Sequence, residues 1–364
     1  MKERIYVCHT YYHAYVSFLK ELKLKEECKN RNVPMGEATM VISLMSSTFE
    51  NFKERVESTG VFKEVILFDE KRESFFPELD KYRMGTGGGI IGNMYRRICL
   101  TKKFAKLLKP FIPVDFSEYG SIYVFSDADP IGVYLNQNKI YYHALEDGLN
   151  CIQYVDTAHF ANRGHFGIKA FFSKKLNLIS IESGYGKYCL DMEVNDISVI
   201  DIPCPYYVEV SRKELTDRLT REDKDIILKA FVRDKESVQL KLEEASKKGD
   251  GILILTDPLC TMDVRKQIFK DVTDMFKDEG TVFIKPHPRD YLDYFKEFPN
   301  YPIFDATMPM EMINFFEGAH FKKVVGVLTE LKAITYADET VRLGPDFMDK
   351  YEDPAIHRQN EQIK

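Results

Sequence analysis

The segment Tyr142-His-Ala-Leu-Glu-Asp-Gly148 sets two carboxylates, Glu146 and Asp147, side by side and just before a glycine. Like charges this close push one carboxyl pKa upward, which suits a group that must take a proton from a hydroxyl near neutral pH. Gly148 would let the chain turn tightly there. The plain alternative is an acidic turn or a helix N-cap. A second segment, Phe283-Ile-Lys-Pro-His-Pro-Arg-Asp290, braces His287 between two prolines and flanks it with Lys285 and Arg289. An imidazole held rigidly among cations can donate a hydrogen bond to a phosphate. Against this stands the commoner case of a histidine that only packs.

Three further segments could supply binding groups. Leu255-Thr-Asp257-Pro258 opens a second series of strands, and Asp263 follows shortly. Either aspartate could reach a bound acceptor, although Asp263 could equally cap a helix from Val264. In Asp305-Ala-Thr-Met-Pro-Met-Glu311, Pro309 could begin a helix with Glu311 in its first turn. A carboxylate there could accept from ribose hydroxyls, or simply sit at the positive end of a surface helix. Gly326-Val-Leu-Thr329 ends a strand before a helix expected from Leu331, so its N–H groups and the Thr329 hydroxyl could meet a phosphate, or merely cap the helix. Two patterns are weaker. Gly85-Thr-Gly-Gly-Gly89 fits neither common phosphate-loop spacing and follows no clear strand. Asp127-Ala-Asp129 could chelate a hard cation, but a turn ending at Pro130 explains it as well.

The elements that must position these groups alternate between short apolar runs and helical patterns. Strands are expected at 5–8, 40–44, 64–68, 121–125 and 139–142, with helices at 12–24, 49–58 and 93–108. A loop containing two prolines, Ile202-Pro-Cys-Pro-Tyr206, leads through a charged amphipathic helix at 212–231 and a polar helix to Lys248 to a second set of strands at 252–255, 281–284, 302–303 and 323–327. Helices at 264–277 and 310–317 lie between these. Such alternation favours parallel sheets covered by helices on both faces. The chain of 364 residues suits two cores. The expected organisation is two α/β domains, 1–205 and 206–364, facing a central cleft and carrying their ligand groups in the loops that follow strands.

Bulk properties narrow the function. A net charge of −6 offers no general field for nucleic acid, and the lysine-rich stretches are short. Seven cysteines without a CxxC pattern read as free thiols of a reducing compartment. The N-terminus becomes a short strand rather than a signal peptide, and no apolar run approaches the roughly 18 residues of a membrane span. A cytoplasmic location is expected. Peripheral contact with the inner face of a membrane and a homodimer are both compatible with the sequence.

In chain order, Glu146-Asp147-Gly148, His287-Pro288 and Leu328-Thr329 resemble the motifs of the bacterial sialyltransferases of glycosyltransferase family 52, the lipooligosaccharide group, and more distantly those of bacterial polysialyltransferases. Met308-Pro-Met-Glu311 is similar to that family's nucleotide-contacting stretch, and the first strand followed by Thr10 to its opening. The family's last motif is a pair of hydroxyl residues, and this chain has Leu328 at the first position. The resemblance implies a GT-B fold of two Rossmann-like domains. It also implies a CMP-activated donor such as CMP-sialic acid, a glycan or glycolipid acceptor of the capsule or lipooligosaccharide kind, and inversion without a metal or other cofactor. His287 would act as general acid or phosphate stabiliser, and Asp263 or Asp147 as base beside Glu146. Gly148, Lys285, Pro288, Glu311 and Thr329 would bind the donor, Glu311 at the ribose and Thr329 at the phosphate. A monophosphate leaving group can be met by one imidazole and a few N–H or hydroxyl donors. Three other readings are a CDP-glycerol-type transferase, which also carries a His-Pro segment after a basic residue, a metal-dependent DxD transferase, and a non-catalytic sugar-nucleotide-binding protein.

Overall fold

A computed structural model describes residues 2–83, 89–149, 151–152, 154–155, 157–332 and 334–357, and divides into two compact units, Met1–Leu219 and Thr220–Lys364. Residues 85–88 of the Gly85–Gly89 pattern lie outside the described residues.

The first unit is built on a seven-stranded parallel sheet. Its strands are β1 (Lys2–Cys8), β2 (Ala38–Ser43), β3 (Glu64–Phe68), β4 (Tyr119–Phe125), β5 (Tyr142–Leu145), β7 (Cys189–Val194) and β9 (Tyr207–Glu209), in the spatial order β3-β2-β1-β4-β5-β7-β9. Two short strands, β6 (Tyr154–Val155) and β8 (Ile200–Ile202), pair separately. Ile5, Val7, Met40, Val41, Ile42 and Val124 are fully buried, as continuous apolar runs must be in a sheet covered on both faces. The order reverses between β1 and β4: the chain winds outward to β3, then returns to β4 on the other side. The loops that leave β1 and β4 at this reversal are where open parallel sheets hold their ligands. Helix α1 (Tyr11–Arg31) starts directly after β1. Thr10 caps it by accepting from the His13 N–H at 3.1 Å, and it stops at Asn32 in the left-handed conformation (φ 53°).

The second unit holds a four-stranded parallel sheet, ordered β11-β10-β12-β13, from β10 (Ile252–Leu255), β11 (Val282–Lys285), β12 (Phe321–Gly326) and β13 (Ala337–Arg342). Ile254, Ile284 and Val325 form its core with Ile268, Phe269 and Val272 from the helix Met262–Phe276.

Several boundaries differ from those expected. The division falls after Leu219, not at 205, because β9 adds to the first sheet beside β7 and the helix Arg212–Asp217 is also in that unit. The strand expected at 139–142 runs instead from Tyr142 to Leu145. Residues 136–140 form the exit from a helix, with Lys139 in the left-handed region (φ 64°). Pro302 has no N–H to give a ladder, and the expected strand there shrinks to one bridge, Ile284 to Ile303. The helix expected at 310–317 is a 3₁₀ turn, Met310–Phe315. Among the described residues no helix starts near Leu331, and the next element is the polar edge strand β13. All seven cysteines are free. Among the described residues, no helix is long and apolar enough to cross a membrane.

Candidate active site

At the carboxyl edge of the first sheet the two adjacent acids part company. Glu146 is 2% exposed. Its carboxylate accepts from the Asn195 N–H at 2.8 Å and the Ile152 N–H at 3.2 Å, which ties down two neighbouring loops. Burial raises its pKa against these two donors. The Asp147 side chain points outward, 57% exposed, yet it is anchored. His13 Nε2 lies 2.8 Å from the Asp147 carbonyl oxygen and 2.8 Å from its carboxylate Oδ1. Gly148 is not needed for its lack of a side chain: an added Cβ would meet only the Cys151 Cβ, at 3.7 Å.

Three residues of this edge, His13, His9 and Glu70, were not singled out in the sequence, and a fourth, Asp129, was read there only as half of a cation-binding pattern. His13 is fully buried and lies flat on Phe125, with ring centroids 4.3 Å apart. Its Nδ1 accepts from the His9 backbone N–H at 3.0 Å, and burial lowers its pKa in spite of Asp147. His9, at the end of β1, sets its Nε2 2.7 Å from Glu70 Oε2 and 3.6 Å from Asp129 Oδ2. Burial works to lower the His9 pKa, but the hydrogen bond to Glu70 and the charges of Glu70, Asp129 and Asp147 outweigh it, and the net shift is upward. Glu70, just beyond β3, also accepts from the Ile131 N–H at 2.9 Å. Asp129 is pushed up to about 6 by burial, against the pull of His9. The signal was positional: His9, His13 and Asp129 stand within a few residues of the ends of β1 and β4, the two strands at the reversal in order, and Glu70 follows the end of β3.

Asp127 and Asp129 do not act as a pair. The buried Asp127 carboxylate accepts from the Ser183 N–H (2.6 Å), the Gly184 N–H (3.3 Å) and the Tyr142 hydroxyl (3.3 Å), whereas Asp129 faces His9. The expected turn explains Asp127, and its oxygens are already engaged.

In the second unit, His287 follows β11 as expected. Its backbone N–H donates to Thr256 Oγ1 at 3.0 Å, and its Nδ1 accepts from the Arg289 N–H at 3.1 Å. With Nδ1 accepting, the neutral ring carries its proton on Nε2. Burial, with Arg289, Lys285 and Arg265 nearby, pushes the His287 pKa down to about 3. The loop is braced from below. Arg265 donates to the Leu259 and Cys260 carbonyls and to the buried Asp290, and Asp290 also accepts from the Tyr294 hydroxyl at 2.8 Å.

The remaining expected residues are placed less simply. Lys285 is buried, and its ammonium donates to the Pro286 carbonyl (2.6 Å) and the Ala306 carbonyl (3.1 Å). Burial lowers it to about 7 against the pull of Asp305 and Glu311. It joins the His287 loop to the 305–307 loop instead of standing ready for a ligand. Pro288 is half-buried in the same loop. Burial raises the Glu311 pKa, opposed by its own N–H and by Lys285. Thr329 departs most from expectation. Its hydroxyl donates to Asp257 Oδ1 at 2.6 Å, and the Leu328 and Thr329 N–H groups donate to Asp257 Oδ2 at 3.1 and 3.2 Å. The donors expected to meet a phosphate are therefore occupied by Asp257. Asp263 is exposed in the first turn of the helix Met262–Phe276, which has Thr261 at its N-cap position.

Two Rossmann-like units in one chain, each with polar groups on the carboxyl edge of a parallel sheet, define the GT-B class of glycosyltransferase fold. Residues 69–329 match the sequence profile of glycosyltransferase family 52, and the chain belongs to that family. The matched stretch includes Glu70, Asp129, Asp147 and His287 and begins after His9 and His13. An uncharacterized protein of Haemophilus influenzae is 31% identical over 137 residues, which is 36% of this chain and 42% of that one, so the chain spans less than half of that relative's length. Among solved structures, an α/β-galactoside α-2,3-sialyltransferase from the luminous marine bacterium Photobacterium phosphoreum is similar with a TM-score of 0.51. It is 12% identical, over 92% of this chain and 88% of that one. A sialyltransferase from Photobacterium damsela gives 0.50 at 12% identity, over 93% and 74%. These two likenesses concern the fold.

Proposed function

We propose that this glycosyltransferase moves sialic acid from CMP-sialic acid to a terminal sugar hydroxyl of a cell-surface glycan, with inversion and without a metal. Asp147 is the base. It is the exposed member of the acid pair, at a sheet edge rich in groups that exchange protons. The acceptor oxygen attacks the anomeric carbon while its proton passes to the Asp147 carboxylate. The bond from that carbon to the phosphate oxygen breaks, and CMP leaves with the electron pair. One displacement through an oxocarbenium-like transition state inverts the centre.

His287 stabilises the departing phosphate. Its neutral Nε2–H is a fixed donor on an edge that also carries Lys285, Arg265 and Arg289, and such preorganised donors act where charge develops. Its low pKa favours this role over that of a protonated acid. The engagement of Asp127 with Ser183, Gly184 and Tyr142 supports the metal-free reading, because a DxD chelate would need that carboxylate. The observation that carries the proposal is the contrast between the outward, anchored Asp147 and the inward, occupied Glu146.

The test is to incubate the purified protein with a β-galactoside and either CMP-sialic acid or CDP-glycerol, with and without EDTA. Release of CMP from CMP-sialic acid that survives EDTA supports the proposal. Turnover of CDP-glycerol alone, or loss of activity in EDTA, overturns it.

A further inference from the structure

Helix α1 opens with a histidine that touches no open surface and yet holds the exposed acid. The backbone explains why its ring can hold only one orientation. Thr10 caps the helix and binds the His13 N–H, and the Ser17 hydroxyl donates to the His13 carbonyl at 2.9 Å. The ring lies flat on Phe125, the last residue of β4. Because the His9 N–H donates to Nδ1, that nitrogen is an acceptor and the proton of the neutral ring must be on Nε2. That single N–H faces two oxygens of one residue, the Asp147 carbonyl and its carboxylate Oδ1, each at 2.8 Å. The donor therefore fixes both the chain and the side-chain torsion of Asp147.

We infer that His13 is a positioning residue for transfer: its locked Nε2–H aims the Asp147 carboxylate and stabilises the charged form of that carboxylate. The inference rests on the proposal that Asp147 is the base. A reacting carboxylate gains from such a clamp in two ways. Its torsional freedom is spent before substrate arrives. A hydrogen bond to the charged form also opposes protonation of that carboxylate. The other groups on Asp147 come from separate elements: His9 after β1, Asp129 after β4, and Cys151 in the loop beyond β5. Burial keeps His13 neutral, which preserves Nδ1 as an acceptor and with it the direction of the clamp.

Two variants separate the clamp from packing. His13→Phe keeps a ring over Phe125 and removes the donor, whereas His13→Gln keeps an N–H near Nε2. With CMP-sialic acid and lactose, His13→Phe is expected to lower kcat/KM about tenfold and to move the acidic limb of its pH profile up by about one unit, since the lost hydrogen bond favoured the charged carboxylate. His13→Gln should recover most of the rate and keep the limb near its original pH. Nitrogen-15 NMR of the wild-type protein should show His13 as the neutral Nε2–H form from pH 6 to 8, a result that stands even if the Phe variant fails to fold. An unmoved acidic limb in a folded His13→Phe, identical behaviour of the two variants, or an Nδ1–H form of His13 would overturn the inference. Asp147→Asn, measured alongside, separates the two levels. If it is inactive while His13→Phe behaves as wild type, only the clamp falls. If it turns over normally, Asp147 is not the base and both claims fall.

Discussion

The carboxyl edges of the two sheets are made of opposite materials. In the first unit, Glu70, Asp129 and Asp147 surround two imidazoles, and burial drives Asp129 to about 6 while His9 is shifted upward. That edge is suited to accepting and holding protons. In the second unit, Lys285, Arg265 and Arg289 surround one imidazole whose pKa burial and positive charge push down to about 3, leaving it a neutral donor. That edge is suited to meeting an anion. Transfer from a nucleotide-activated sugar needs both properties, one for the acceptor hydroxyl and one for the leaving phosphate. Burial lowers both imidazoles, and their neighbours then separate them: carboxylates beside His9 overturn that effect, whereas cations beside His287 add to it.

The comparison can be broken most sharply at the candidate bases. Asp147→Asn should lower kcat by about a thousandfold or more, because an amide cannot take the acceptor proton. Asp263→Asn, in an exposed first helical turn, should stay within about twofold. The reverse ranking would move the base to the second unit and erase the contrast. A second effect is on stability. The unfolded chain protonates His287 near 6.5 and the folded chain only near 3, so acidification through that window favours unfolding. Between pH 7 and pH 5 this one group should cost about 2 kcal/mol, and thermal melts of His287→Asn should lose that part of the slope. An equally steep melt profile in the variant would show that His287 is not held neutral. The smallest effect is expected at Gly148→Ala, since the added Cβ meets only Cys151 at 3.7 Å. Its activity should stay near that of the wild type, and a large loss would mean that substrate approaches the backbone at this turn.

Local features of the sequence were legible and assembled ones were not. The acid pair with its glycine, and the histidine between two prolines, can be read because adjacent residues make the pattern. The parallel α/β plan can be read because its apolar runs are short and regular. His9, His13, Glu70 and Asp129 come from three separate stretches, and only the strand order β3-β2-β1-β4 brings them to one edge. Thr329 looks like a helix cap because nothing nearby in sequence reveals that Asp257 occupies its hydroxyl and N–H. The same reasoning mistook Glu146 for an equal of Asp147: the donors that internalise it, Asn195 and Ile152, lie in later loops. β13 was missed because it is a polar edge strand, paired only with β12. The division after Leu219 was missed because the prolines at 203 and 205 precede one further strand of the first sheet.

The division of labour between the two edges is tested most directly by calorimetric titration of CMP into the wild type, Asp147→Asn and His287→Asn, with turnover measured on the same samples. The account predicts that Asp147→Asn binds CMP like the wild type while losing turnover, and that His287→Asn binds CMP about tenfold more weakly. Normal CMP affinity in His287→Asn together with weakened affinity in Asp147→Asn would contradict it.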